Sequence, residues 1–239
     1  MENITEDIKP RGIASAYIAA PFDDAKKALE SKGYKIISLE ENARLRMQEG
    51  KGSFVSRNGN RTREGVIYTP DKSIFLTKNS PIMESPKKAT NAHRSGNEYV
   101  LTGEQVEQAL SNSVKLLGKS IPTNRFKDNE ITAFVFGDVA EDYGIWLANE
   151  AGIKEMPVYL ANVSDKPFAR QMWFRDLGGR SVLNGYDRDL DDGGRLRGVK
   201  ETSEAGSPQK ILYSEKQISK ALKELGFSGL EKGLIAKLK

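Results

Sequence analysis

The chain has 239 residues, with 37 Lys+Arg against 33 Asp+Glu, no cysteine and one histidine. The missing cysteine excludes disulfides, thiolate nucleophiles, iron–sulfur clusters and cysteine zinc sites. The single histidine, His93, excludes metal centres that need two imidazoles. Any metal is left to oxygen ligands, which points to Mg or another oxygen-liganded divalent cation.

No run of 18 apolar residues occurs, so no membrane helix is expected. Residues 1–11 are polar and lack an apolar stretch, so no signal peptide is expected. Both readings lead to the expectation of a soluble, cytoplasmic protein.

The net charge of +4 hides an uneven distribution. Residues 128–165 hold one base and eight acids. Residues 85–127 hold seven bases and three acids, and 166–200 hold eight bases and five acids. Such segregation gives a folded chain basic faces that attract polyanions.

Residues 12–39 read as a β-α-β unit. GIASAYIA is the first strand, and Asp23 and Asp24 suit a helix N-terminus, where carboxylates meet orphan N–H groups. Gly33 closes that helix and YKIISL follows as a strand. Residues 40–49 read as a short helix, and 50–62 as a mobile loop or hairpin tip rich in Gly, Ser and Asn. Val66–Tyr68 and Ser73–Thr77 form a hairpin around the turn Thr69-Pro70-Asp71-Lys72. Residues 79–97, with two prolines, read as irregular.

Residues 98–101 read as a strand, and Thr102 with Gln105 forms a capping box for the next helix. The apolar run ITAFVF at 131–136 reads as a central strand. A helix over 139–151 and a strand over 156–160 complete a second β-α-β unit. Residues 168–177 read as an amphipathic helix, 184–209 as an exposed loop or linker, and 210–239 as a capped helix pair. The fold class is therefore α/β, a mixed sheet of about six strands with two β-α-β units and a hairpin, covered by helices. The expected organisation is a domain at 1–183, a linker at 184–209 and a C-terminal helical segment at 210–239, packed on the same domain.

Chemistry is concentrated in a few places. Asp138, Glu141 and Asp142 gather past the end of the expected strand 131–136, where open α/β sheets bind ligands. Asp138 and Asp142 would hold a cation, and Asp138 or Glu141 would act as a base. The plain alternative is a helix cap with dipole-favoured acids. Arg57, Arg61 and Arg63, with Lys51, Asn58 and Asn60, suit phosphate contact, since guanidinium binds phosphate oxygens bidentately. His93 beside Arg94 suits catalysis or phosphate binding, or a surface histidine.

Arg170, Trp173 and Arg175, interleaved with Phe168 and Phe174, suit a nucleic-acid strand, or else a face whose aromatics turn inward. The run Asp187-Arg188-Asp189-Leu190-Asp191-Asp192-Gly193-Gly194 has an alternating acidic rhythm, yet it lacks the Gly and Glu that a calcium-binding EF-hand loop requires. No phosphate-binding glycine loop or nucleophile elbow is present.

Three classes of function remain open. The charge map favours a protein that binds nucleic acid or another polyanion through its basic segments. The second class is a carboxylate–metal enzyme acting on a phosphorylated or nucleotide substrate. The third is a non-catalytic assembly or interaction protein, possessing a homo-oligomeric form.

Overall fold

The computed structural model describes residues 5–7 and 14–200. Strand β1 (Thr5–Asp7) pairs with β2 (Ala14–Ala19). Helix α1 (Phe22–Ser31) buries Phe22, Ala25 and Leu29 and carries Asp23 and Asp24 in its first turn. Strand β3 (Lys35–Ile36) leads to α2 (Leu39–Glu49), which starts in a capping box between Ser38 and Glu41. A single turn, α3 (Phe54–Arg57), precedes β4 (Asn60–Tyr68) and β5 (Ile74–Thr77).

Helices α4 (Pro81–Glu84) and α5 (Pro86–Arg94) follow, then β6 (Tyr99–Val100), α6 (Gly103–Leu110) and β7 (Ser113–Lys115). Next come β8 (Ile121–Pro122), a 3-10 turn at Thr123–Arg125 and α7 (Glu130–Phe136). A second 3-10 turn at Gly137–Val139 runs into α8 (Ala140–Asn149). The described chain ends with β9 (Glu155–Met156), β10 (Val158–Tyr159), β11 (Phe168–Phe174), β12 (Leu183–Asn184) and β13 (Arg195–Lys200).

The result is α/β, with one large mixed sheet and a separate β8–β9 pair among the described residues. The main path of the sheet is β1-β2-β13-β4-β11-β12-β10. Strands β2 and β3 both run antiparallel to β13, so the first β-α-β unit exists with β13 between its strands. The hairpin β4–β5 also forms, closed by Lys72 N–H donating to the Thr69 carbonyl.

Side chains alternate across the central strands. Val66 and Tyr68 of β4 and Phe168, Met172 and Phe174 of β11 point into one core with Leu39, Phe136 and Tyr143. Ile67 and Ala169 point to the other face, against Ile18, Phe22, Leu29 and Leu196. The sheet is thus buried on both sides.

The second expected β-α-β unit is absent. ITAFVF is α7, whose N-terminus is capped by the Asn129 side chain accepting from the Ile131 and Thr132 N–H groups. Residues 168–174 are a strand, not a helix, paired with β4 on one side and with β6 and β12 on the other. Residues 79–97 hold two helices, each with proline at its first position, where the missing N–H costs nothing. The expected linker does not start at 184, because β13 lies between β2 and β4 in the sheet. The expected helix pair at 210–239 lies outside the described residues.

Candidate functional site

Four strands bring one row of residues into register. Tyr159 of β10 pairs with Asn184 of β12, Asn184 with Trp173 of β11, and Trp173 with Arg61 of β4. Directly opposed residues share a face of the sheet, so the row forms a continuous platform. A bulge between Gln171 and Trp173 sets this register.

Two glycines make the packing of the row possible. A Cβ on Gly59 would stand 2.8 Å from the Trp173 indole nitrogen, so the ring packs directly against that backbone. A Cβ on Gly194 would collide with the Arg61 guanidinium. Arg61 is 4% exposed, and its guanidinium carbon sits 5.5 Å from the centre of the Trp173 ring.

The acidic segment 187–194 folds over this platform. Asn184 donates to Asp187 at 2.6 Å and accepts from the Tyr186 N–H at 2.8 Å. Arg188 donates to the Gly96 carbonyl, and the buried Leu190 accepts from the Phe22 N–H. Asp192 Oδ1 accepts from Arg61 Nη2 at 2.8 Å and from the Gly194 N–H at 2.7 Å.

Two concavities flank Asp187. The smaller, about 90 Å³, is lined by Arg61, Gln171, Trp173, Asp187, Asp189, Leu190, Asp192 and Gly194. The larger is an open depression of about 550 Å³ lined by Gly118, Val158, Tyr159, Leu160, Arg175, Asn184, Tyr186 and Asp187. Tyr186 is 60% exposed at its rim and Tyr159 is 41% exposed. Burial pulls the Arg61 pKa down, against the opposing pull of Asp192 and its neighbours. Burial, then the repulsion of Asp192 and Asp187, pushes the Asp189 carboxyl up.

Of the residues singled out in the sequence, Arg61, Trp173 and Arg175 come together here. Arg170 stands behind them. It is ion-paired with Glu98 at 2.5 Å and donates to the Tyr186 carbonyl, which anchors the segment. Arg63 is exposed beside the buried Glu64, while Arg57 lines a separate depression of about 400 Å³ with Lys51 and Asp176. Arg94 is exposed at the end of α5 and bonds Asn91.

His93 is buried rather than on the surface, and burial lowers its pKa to about 4, against the opposing pull of Glu98. Asp138 sits exposed in the second 3-10 turn. Asp142 is exposed in the first turn of α8, beside Glu141, which pairs with Lys127 at 2.8 Å. Among the described residues, no three carboxylate or histidine groups stand close enough to hold a metal ion.

The sequence reading missed Tyr159, Asn184 and Tyr186. Tyrosines set among polar residues were the available signal, but their exposure and the depression they share exist only in the folded chain.

No protein-family model matches the chain, and no curated protein matches it. A solved structure described as "Accommodation of massive sequence variation in Nanoarchaeota by the C-type lectin fold" superposes with a TM-score of 0.59 at 17% identity, covering 81% of this chain and 99% of the other. At that identity the likeness is one of fold, and the described domain shares the C-type lectin fold. No helix among the described residues is long and apolar enough to cross a membrane.

Proposed function

We propose that this domain is a binding module that recognises a protein surface through the open depression around Tyr159, Tyr186 and Arg175. The observation that carries the reading is the pair of exposed tyrosines at a depression that also presents Arg175, Asn184 and Asp187. Tyrosine and arginine dominate the energetics of protein interfaces, because each combines a large contact area with a polar tip. The depression is mixed in character rather than basic, since Asp187 shares it with Arg175.

The structural neighbour supports this reading at the level of fold. Its description speaks of the C-type lectin fold accommodating massive sequence variation in Nanoarchaeota. A scaffold that tolerates variation separates its core from its exposed residues. Here the core stands on strand faces, while Tyr186 belongs to a segment held by Asn184, Arg170 and Arg188.

The test is a photo-crosslinking amino acid placed at Tyr186, with one at the exposed Ile145 of α8 as a control. The expected result is a discrete protein adduct from the Tyr186 position alone, lost when Arg175→Glu is added. Equal adducts from both positions would sink the proposal.

A polyanion-binding reading is second. It is supported by the depression that pairs Lys51 with Arg57, although Asp176 lines it too. A random oligonucleotide at low salt should then bind, with a steep loss on adding salt, and Lys51→Ala with Arg57→Ala should reduce that slope. Absence of binding at micromolar protein would remove it.

A further inference from the structure

The small cavity beside Asp187 has a charge pattern that its own contacts balance only in part. Its lining contains one cation, Arg61, and three carboxylates, Asp187, Asp189 and Asp192. Two of those carboxylates are engaged, Asp187 by Asn184 and Asp192 by Arg61 and Gly194. Asp189 takes no hydrogen bond or ion pair from the described residues and stands exposed at the mouth.

On the opposite side is an unmet donor. Arg61 Nη1 is buried and has no hydrogen-bond partner. It lies against Gly194, which lines the same cavity. A buried donor without an acceptor is costly, and here it belongs to a side chain held by Asp192 and Trp173. An anion would answer Arg61 but would meet three carboxylates. A lysine side chain would answer Asp189 but would bring a second cation to Arg61 and no acceptor.

We infer that this cavity takes the free α-amino terminus of a peptide, with the ammonium at Asp189 and Asp187 and the first carbonyl oxygen on Arg61 Nη1. An α-amino group carries its own carbonyl oxygen two bonds beyond the nitrogen-bearing carbon, so one small group supplies both the cation and the acceptor. The volume, about 90 Å³, corresponds to about three waters, which suits an ammonium with one or two carbons and not a sugar ring. An α-amine is protonated below about pH 8, so the group arrives charged. Asp187 borders both concavities, so the inference deepens the proposed recognition of a protein, naming its amino end as the part that is read.

The experiment is calorimetric titration of the full chain with glycylglycinamide, N-acetylglycylglycinamide and propylamine at pH 7. Glycylglycinamide should bind at millimolar concentration or better. The acetylated compound should show no binding, and propylamine at least tenfold weaker binding, since it leaves Arg61 Nη1 unmet. Asp189→Asn, an exposed substitution that touches no internal bond, should weaken glycylglycinamide at least tenfold. Equal binding of the acetylated compound, no effect of Asp189→Asn, or no binding of glycylglycinamide at 10 mM would each overturn the inference, the last by leaving only water in the cavity. Arg175→Glu, which lines the larger depression and not the small cavity, separates the two proposals. It should abolish partner capture by the crosslinker at position 186 while leaving the glycylglycinamide titration unchanged, whereas intact capture without glycylglycinamide binding defeats the cavity assignment alone.

Discussion

The Arg46 guanidinium stands 4.0 Å from the centre of the Phe174 ring, and both side chains are fully buried. Among the described residues it makes no ion pair with a carboxylate. It donates instead to the Val55 and Arg175 carbonyls, to Tyr143 Oη and to Ser181 Oγ. These bonds tie α2 to the turn after β11, where Arg180 and Ser181 both have positive φ. Arg46→Ala removes the donors and leaves a cavity together with two buried carbonyls in need of partners. The expected loss is about 3–5 kcal/mol, read from urea denaturation. Arg46→Met should lose less, because it refills the volume.

Gly144 sets two effects against each other. In the interior of α8, alanine is favoured over glycine by about 1 kcal/mol on helix propensity. A Cβ at 144 would run into the Thr123 carbonyl oxygen and stand 3.1 Å from Phe126 Cβ. The first obstacle is backbone and cannot swing aside, and overpacking of this kind costs about 1–3 kcal/mol or more. Gly144→Ala should therefore destabilise the protein by about 1–2 kcal/mol net, and a raised thermal midpoint would contradict the contact.

Gly59 makes the analogous prediction at the site. A Cβ there would press on the Trp173 indole nitrogen at 2.8 Å and on the Phe174 carbonyl at 3.0 Å. Gly59→Ala should lift the Trp173 ring from the platform and cost about 1–3 kcal/mol. It should also shift the Trp173 indole N–H resonance, which is the direct readout. An unchanged resonance would mean that the ring does not rest on that backbone.

The parts of the fold that were legible are those with a one-dimensional signature. The capping boxes at Ser38 and Thr102 and the Pro70 turn all have one, although only the second box and the turn were read from it. The errors share a cause. ITAFVF buries Ile131, Thr132, Val135 and Phe136, a pattern that serves a buried helix as well as a buried strand. The Asn129 cap was the deciding signal. Residues 168–174 are buried at Phe168, Ala169, Gln171, Met172 and Phe174, because a central strand has no solvent face to show a period of two. Arg61, Trp173 and Arg175 were visible as residue types that bind. Their assembly depended on register, and the partner strands lie more than a hundred residues apart in the chain.

His93 gives a pH dependence with a definite sign. Its pKa is about 4 in the folded protein, against about 6.5 when exposed. Protonation therefore favours the unfolded chain. The stabilising contribution is complete above about pH 6.5 and is lost as the pH falls toward 4, by up to about 3 kcal/mol. Denaturant midpoints measured between pH 7 and 4 should fall, and His93→Leu should flatten that decline. A slope that survives the substitution would assign it to carboxylates instead.

Glu64 contributes a slope of the opposite sign. Its carboxylate accepts the Leu39 N–H at the start of α2, at 3.2 and 3.1 Å. The helix N-terminus favours a negative charge there, yet burial prevails and the carboxyl pKa is raised. A folded pKa above the unfolded one makes stability greatest below the ordinary carboxylate range, and stability is lost as the pH rises through the folded value. This loss overlaps the range in which His93 gains. In the wild type the two oppose each other above the ordinary carboxylate range, so the fall in stability on acidification is smaller than His93 alone would give. The separation requires His93→Leu as the background. In that protein the thermal midpoint should fall as the pH rises from 4, and adding Glu64→Gln should abolish the fall, because the amide oxygen still accepts from Leu39 without a charge to bury. If the double variant keeps the same slope as His93→Leu alone, Glu64 is not the group that titrates.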